Sequence, residues 1–219
     1  MDNQRNLSLD ILKIILSISV VFLHCHFLYD VSIRAYFVTV EGLFRLAVPI
    51  FLIISGFYFF NIKTTDQLKK WVNRLLILYI IWMLFYIYFW FDIKNPIKMI
   101  FTIINGYYIL WYLVGALFSG LIVFFVKEKN TKLLIFLIIL LFSIGCIIQL
   151  IGNLHIFSGG LEKILNFNPT HRNFLFVCFP FFMTGYLINK FSIYNKFNPN
   201  IFILLIALSL VTLESLLNY

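Results

Sequence analysis

Apolar stretches about as long as a bilayer is thick recur along this chain, and they leave it few folds. A helix needs roughly 20 consecutive apolar residues to cross the hydrocarbon core. By that length, segments at about 9–29, 42–61, 75–92, 108–126, 133–152, 174–189 and 200–217 read as spans. In lipid each backbone polar group must be satisfied within its own segment, so spans of this kind are helices. The expected fold class is all-α, a polytopic transmembrane helix bundle of about seven spans. Composition agrees: 62% of the 219 residues are hydrophobic and only 12% charged, about half the charge of a soluble domain. The connecting segments are short, so residues 1–219 read as a single membrane domain.

The net charge of +8 fits a membrane topology better than a nucleic-acid surface, because the basic residues fall in short loops. The bilayer is the expected partner, and nucleic acid is not. With the N-terminus inside, cytoplasmic segments carry ten cations: Arg5, Lys63, Lys69, Lys70, Arg74, Lys127, Lys129, Lys132, Lys190 and Lys196. The opposite side carries five: Arg34, Lys94, Lys98, Lys163 and Arg172. This bias predicts a cytoplasmic N-terminus. The first apolar run is too long for a cleavable signal peptide, and Asp10 and Lys13 interrupt it. Three cysteines without CxxC spacing (Cys25, Cys146 and Cys178) give neither a disulfide framework nor a metal site. Segment 93–107 is too broken to span and predicts an interfacial helix starting after Pro96. Segment 153–173 reads as the longest outer loop.

Ionisable residues inside a membrane helix are costly and normally mark a site or a polar partner. The first run holds Asp10, Lys13, Ser17 and His24 on one helical face, within ~60° of azimuth. Lys13 falls near the cytoplasmic end, where it can bind a phosphate or carboxylate, and His24 lies ~16 Å further out. A histidine there can act as a general base near neutral pH. The same residues also read as a snorkelling lysine paired with Asp10 and as a helix–helix hydrogen bond at His24. His26 projects ~200° from His24 and is expected to lie outside that site.

Other constellations follow. In the second run Arg45, Pro49 and Gly56 share a face, with Ser55 beside them. Pro49 can free a backbone carbonyl and Gly56 permits close helix contact. Lys69, Lys70 and Arg74 stand on an inner helical turn that can hold a phosphorylated cofactor or simply mark topology. Arg172 and Asn173, in Thr170-His171-Arg172-Asn173, form a polar cluster that can meet an acceptor or cap a helix. Trp111 is placed to serve as an aromatic-belt residue.

Taken in order, these pieces resemble the bacterial membrane acyltransferase-3 family, whose best-known members O-acetylate surface polysaccharides. The first-helix signature, a basic residue followed after ten residues by histidine, reads Leu9-Asp10 with Lys13 and His24. The second, Arg with Val-Pro and Ile-Ser-Gly, reads Arg45, Val48-Pro49 and Ile54-Ser55-Gly56. Lys69-Lys70 to Arg74, Trp111-Tyr112-Leu113, and Arg172-Asn173 with Phe179-Pro180-Phe181 and Gly185 look like further family segments. The resemblance covers essentially the whole chain. Two departures stand out: Lys13 occupies a position that is usually Arg, and family members usually have about ten spans. The resemblance therefore implies that the last spans of the family fold are lacking here.

The resemblance implies an enzyme of the bacterial cytoplasmic membrane. It would pass an acyl group, acetyl by the family's habit, from acetyl-CoA to a hydroxyl of a surface polysaccharide or lipid-linked sugar, with no metal. His24 is then the general base or acyl relay, with Asp10 and Lys13 organising the inner part of the stripe. Lys69, Lys70 and Arg74 would meet the CoA phosphates. Arg45, Ser55, Trp111, Arg172 and Asn173 would line the acceptor side. A non-enzymatic transporter or binding module is the alternative from another class, and an inactive remnant of the enzyme is a third reading.

Overall fold

The computed structural model describes residues 7–196 and 200–217; Arg5, one of the cations counted for orientation, lies outside them. The described residues form helices joined by turns and short loops, with no strand. The main helices are α1 (Leu7–His24), α2 (Ala47–Phe59), α3 (Thr65–Phe85) and α4 (Pro96–Asn105). They continue as α5 (Trp111–Val126), α6 (Thr131–Asn153), α7 (Phe179–Lys190) and α8 (Ile201–Leu217).

Four helical stretches are long and apolar enough to cross a membrane: Leu7–His24, Ile33–Phe59, Tyr108–Val126 and Thr131–Asn153. Phe174–Lys190 and Ile201–Ser215 are shorter apolar helices. The second span starts about nine residues earlier than the expected 42 because Ser32 caps it, accepting a hydrogen bond from the Ala35 amide. Its first part is irregular, with a π-helical turn at Phe37–Gly42 and a 3-10 turn at Leu43–Leu46. The third helix starts at Thr65 rather than 75 because Thr64 and Gln67 form a capping box. Its first turns carry Asp66, Lys69, Lys70 and Arg74, which shortens its apolar part. The expected helix after Pro96 is present as α4, with proline in its first turn.

The chain divides into two compact units, Met1–Phe51 with Ser192–Tyr219, and Leu52–Phe191. In the first unit α1 lies against the π and 3-10 turns, and α8 lies against the π turn. Gly42 makes that second approach possible, since a Cβ there would meet the Ser215 side chain.

The second unit is built around α7, whose Phe179, Phe182 and Met183 are fully buried. Its contact with the end of α2 is made backbone to backbone. A Cβ on Gly56 would run into the Phe182 carbonyl, and one on Gly185 into the Ile53 carbonyl. Small residues at such a crossing are how membrane helices gain van der Waals contact without a hydrophobic driving force. The Phe59, Trp71 and Phe182 rings interlock beside it.

At one end of this unit three helices are tied by side-chain donors to backbone carbonyls. Asn189 donates to the Phe57 carbonyl (2.7 Å), Lys127 to Ile62 (3.0 Å) and Lys190 to Lys127 (3.3 Å). Such donors satisfy carbonyls at helix ends that have no intrahelical partner. Lys127 is buried over the Phe124 ring, and burial lowers its pKa from the ordinary lysine value.

Candidate functional site

Helix α1 is regular from Leu7 to His24, so Asp10, Lys13, Ser17 and His24 do fall on one face. Lys13 donates to Asp10 (3.4 Å), and the Ser17 hydroxyl donates to the Lys13 carbonyl (2.8 Å). Asp10 and Lys13 are half-buried, whereas Ser17 and His24 are exposed within their unit. The covered face of α1 centres on Leu16, its buried residue, about 90° from the middle of the stripe. The stripe thus borders the packed face.

Just past His24, five residues before the expected end at 29, the chain leaves the helix, with His26 (φ 49°) and Leu28 (φ 68°) in the left-handed region. Neither is glycine, so the turn stores strain of the kind that clusters at functional sites. His26 Nδ1 lies 3.1 Å from the Tyr36 hydroxyl, which donates to Glu41 Oε1 (2.8 Å). Glu41 is in turn ion-paired with Arg45. The expected acceptor residue Arg45 is therefore held by a carboxylate that sequence reasoning passed over. The i,i+4 spacing of Glu41 and Arg45 was a visible signal. The Tyr36–Glu41 contact was not, because residues five apart face each other in a π turn and not in an α-helix.

In the second unit Ser55 shares a hydrogen bond with the Tyr112 hydroxyl (3.2 Å). The partner of Ser55 is thus the residue next to the expected Trp111, which is itself half-buried. Lys69, Lys70 and Arg74 are exposed on the first turns of α3, at the end where Lys127 and Lys190 meet backbone carbonyls. Lys69 is 4.0 Å from Asp66, a fully solvated pair. Lys70 and Arg74, one turn apart, present cationic donors that suit phosphate oxygens.

Arg172 is exposed, but Asn173 is spent on the fold. Its Oδ1 accepts from the Leu175 and Phe176 amides (2.9 Å each), and its Nδ2 donates to the Pro169 and Thr170 carbonyls. It caps a second π turn, Phe174–Cys178, which leads into α7. Beside it His171 is buried, and its Nδ1 lacks a hydrogen-bond partner. Burial, and then the Arg172 charge, push its pKa below the ordinary 6.5, against a raising hydrogen bond to the Leu165 backbone.

A histidine with a lowered folded-state pKa binds fewer protons than the unfolded chain, so stability falls as pH drops from 6.5 towards the folded value. The melting midpoint of detergent-solubilised protein is expected to fall across that window. His171→Asn should flatten this part of the profile, and an equal slope in the variant would assign the effect to another group.

The acyltransferase domain model matches residues 6–219. No curated protein and no solved structure matches the chain. The match spans both signature helices, the basic turn of α3 and the Arg172–Gly185 segment, and on it the chain belongs to the acyltransferase-3 family.

Proposed function

We propose that this protein transfers an acyl group, acetyl in the first instance, from acyl-CoA at the cytoplasmic face to a hydroxyl of an envelope glycan or glycan precursor. The acceptor class is a surface polysaccharide or a lipid-linked sugar, and the location is the bacterial cytoplasmic membrane. The observation that carries this reading is the family match along residues 6–219, which supports acyl transfer in general.

In this reading the chain is one membrane domain crossing about seven times with its N-terminus inside, and the short apolar helices Phe174–Lys190 and Ile201–Ser215 count among the spans. The charge distribution supports that orientation. Lys63, Lys69, Lys70, Arg74, Lys127 and Lys190 all belong to the end of the second unit where α2, α5 and α7 finish and α3 begins. Cations gathered at one end favour that end as cytoplasmic.

Lys69, Lys70 and Arg74 then bind the CoA phosphates. Asp10 and Lys13 organise the inner part of the first-helix stripe. His24 serves as general base or acyl relay at the far end of α1. Arg45, Ser55, Trp111 and Arg172 line the acceptor side, and Asn173 holds the turn that carries Arg172.

The test uses inside-out membrane vesicles given acetyl-CoA labelled in the acetyl group. Label is expected in the glycan fraction, and its absence would overturn the reading. Lys70→Gln with Arg74→Gln should raise the KM for acetyl-CoA about tenfold or more, since charge-assisted hydrogen bonds contribute ~1.5–3 kcal/mol each. The wild-type KM should also rise with salt. A KM unmoved by both would place the donor elsewhere.

A further inference from the structure

Tyr36 has one proton, and it goes to Glu41. An ionised carboxylate only accepts, so Tyr36 must act as acceptor towards His26. His26 Nδ1 therefore carries a hydrogen, and in the neutral ring Nε2 is the acceptor atom. The same Glu41 holds Arg45 through its other oxygen, Oε2. One carboxylate thus fixes an acceptor nitrogen on an exposed histidine and a fan of donors on a half-exposed arginine. Tyr36 is buried, and the exposed ring of Tyr29 packs edge-on against it at 5.2 Å.

We propose that His26 and Arg45, set by Tyr36 and Glu41, form a subsite for a neutral sugar bearing neighbouring hydroxyls, with Tyr29 offering its ring to the sugar face. Nε2 accepts one hydroxyl proton in a hydrogen bond, and the guanidinium donates to the adjacent hydroxyl oxygen. The pairing suits a polyol: a bare anion would gain from Arg45 but find no donor in Nε2 of the neutral ring. An apolar ligand would gain nothing from either polar group. Tyr36 and Glu41 are positioning residues that act through His26 and Arg45. The strained turn that sets His26 after His24, and the π turn that aligns Tyr36 with Glu41, are the backbone features that build the arrangement.

This subsite rests on the reading of a hydroxyl acceptor, but its test does not need acyl transfer. Full-length protein with 15N-labelled histidine is placed in nanodiscs, and the His26 ring nitrogens are recorded with and without methyl β-glucoside. The wild type should show Nδ1 protonated, and Tyr36→Phe should release it. The glucoside should shift the His26 ring resonances, whereas cyclohexanol at the same concentration should not. Tyr36→Phe should weaken the glucoside response about tenfold, the scale of one lost hydrogen bond. Glu41→Gln keeps an acceptor oxygen for Tyr36 and should weaken it less, and it serves if Tyr36→Phe fails to fold. In the transfer assay both variants should raise the acceptor KM and leave the acetyl-CoA KM unchanged. A wild-type His26 protonated on Nε2 alone overturns the network, and a glucoside response equal to that of cyclohexanol overturns the subsite. A glucoside response in a protein that transfers no label would uphold the subsite and overturn the acyl-transfer reading.

Discussion

His24→Ala is expected to lower acyl transfer by about 10²–10⁴-fold, the usual scale for losing a positioned general base, and more if His24 also carries the acyl group. The chain should still fold. His24 is the last residue of α1 and is exposed within its unit, and substitutions at such positions usually move stability by no more than about 0.5 kcal/mol. The measurement is label transfer in vesicles, normalised to protein, with a melting curve in parallel. Lys13 supplies an internal comparison. It already pairs with Asp10 at 3.4 Å, and Lys13→Arg gives that end the guanidinium usual in the family, so its rate should be kept or raised. Lys13→Ala should cost the donor step and leave the acceptor KM alone. If His24→Ala retained activity within threefold while His26→Ala did not, the base would move two residues along the chain, into the Tyr36–Glu41 network.

How much of this was legible in the sequence depended on which physical signal each part carries. Helix existence was carried by length and apolarity. The segments expected at about 108–126, 133–152, 174–189 and 200–217 match Tyr108–Val126, Thr131–Asn153, Phe174–Lys190 and Ile201–Leu217 within a few residues. Helix starts after Ser32 and Thr64 are encoded in capping residues that lie ahead of the apolar runs. The azimuths of the first-helix stripe held because the helix is regular. Which side of it would be covered did not follow, since a helix apolar nearly all round gives no face preference.

The two π turns had no sequence signal at all. Each adds a residue to a turn and re-aims the side chains around it, bringing Tyr36 onto Glu41 and setting Asn173 as the cap before α7. Both precede helices that carry family segments. The helix-capping reading of Asn173 was open from its place ahead of an apolar run. Glu41 as the partner of Arg45 was legible from i,i+4 spacing, whereas the Tyr36 hydrogen bond to Glu41 came only from the fold.

Gly185→Leu is expected to leave almost no folded protein. The loss would show as disappearance of the monodisperse peak in detergent size-exclusion chromatography. The reason is what a side chain there would meet. A Cβ at Gly185 points at the Ile53 carbonyl and one at Gly56 at the Phe182 carbonyl, backbone in both cases, and backbone cannot rotate aside. Overpacking a core against movable side chains costs ~1–3 kcal/mol. Forcing two helices apart costs more, because every contact along the crossing stretches together, including those around Phe59, Trp71 and Phe182. Net stabilities of ~5–15 kcal/mol leave little margin for that. Gly56→Ala and Gly185→Ala should each lower the melting midpoint sharply. Their combination should cost less than the sum, since one separation of α2 from α7 relieves both collisions. Gly160 is the control: nothing lies within 4 Å of a Cβ built there, so Gly160→Ala should melt like the wild type. Additive losses at Gly56 and Gly185 would mean that the two glycines act at separate contacts and that the crossing is not the rigid unit described.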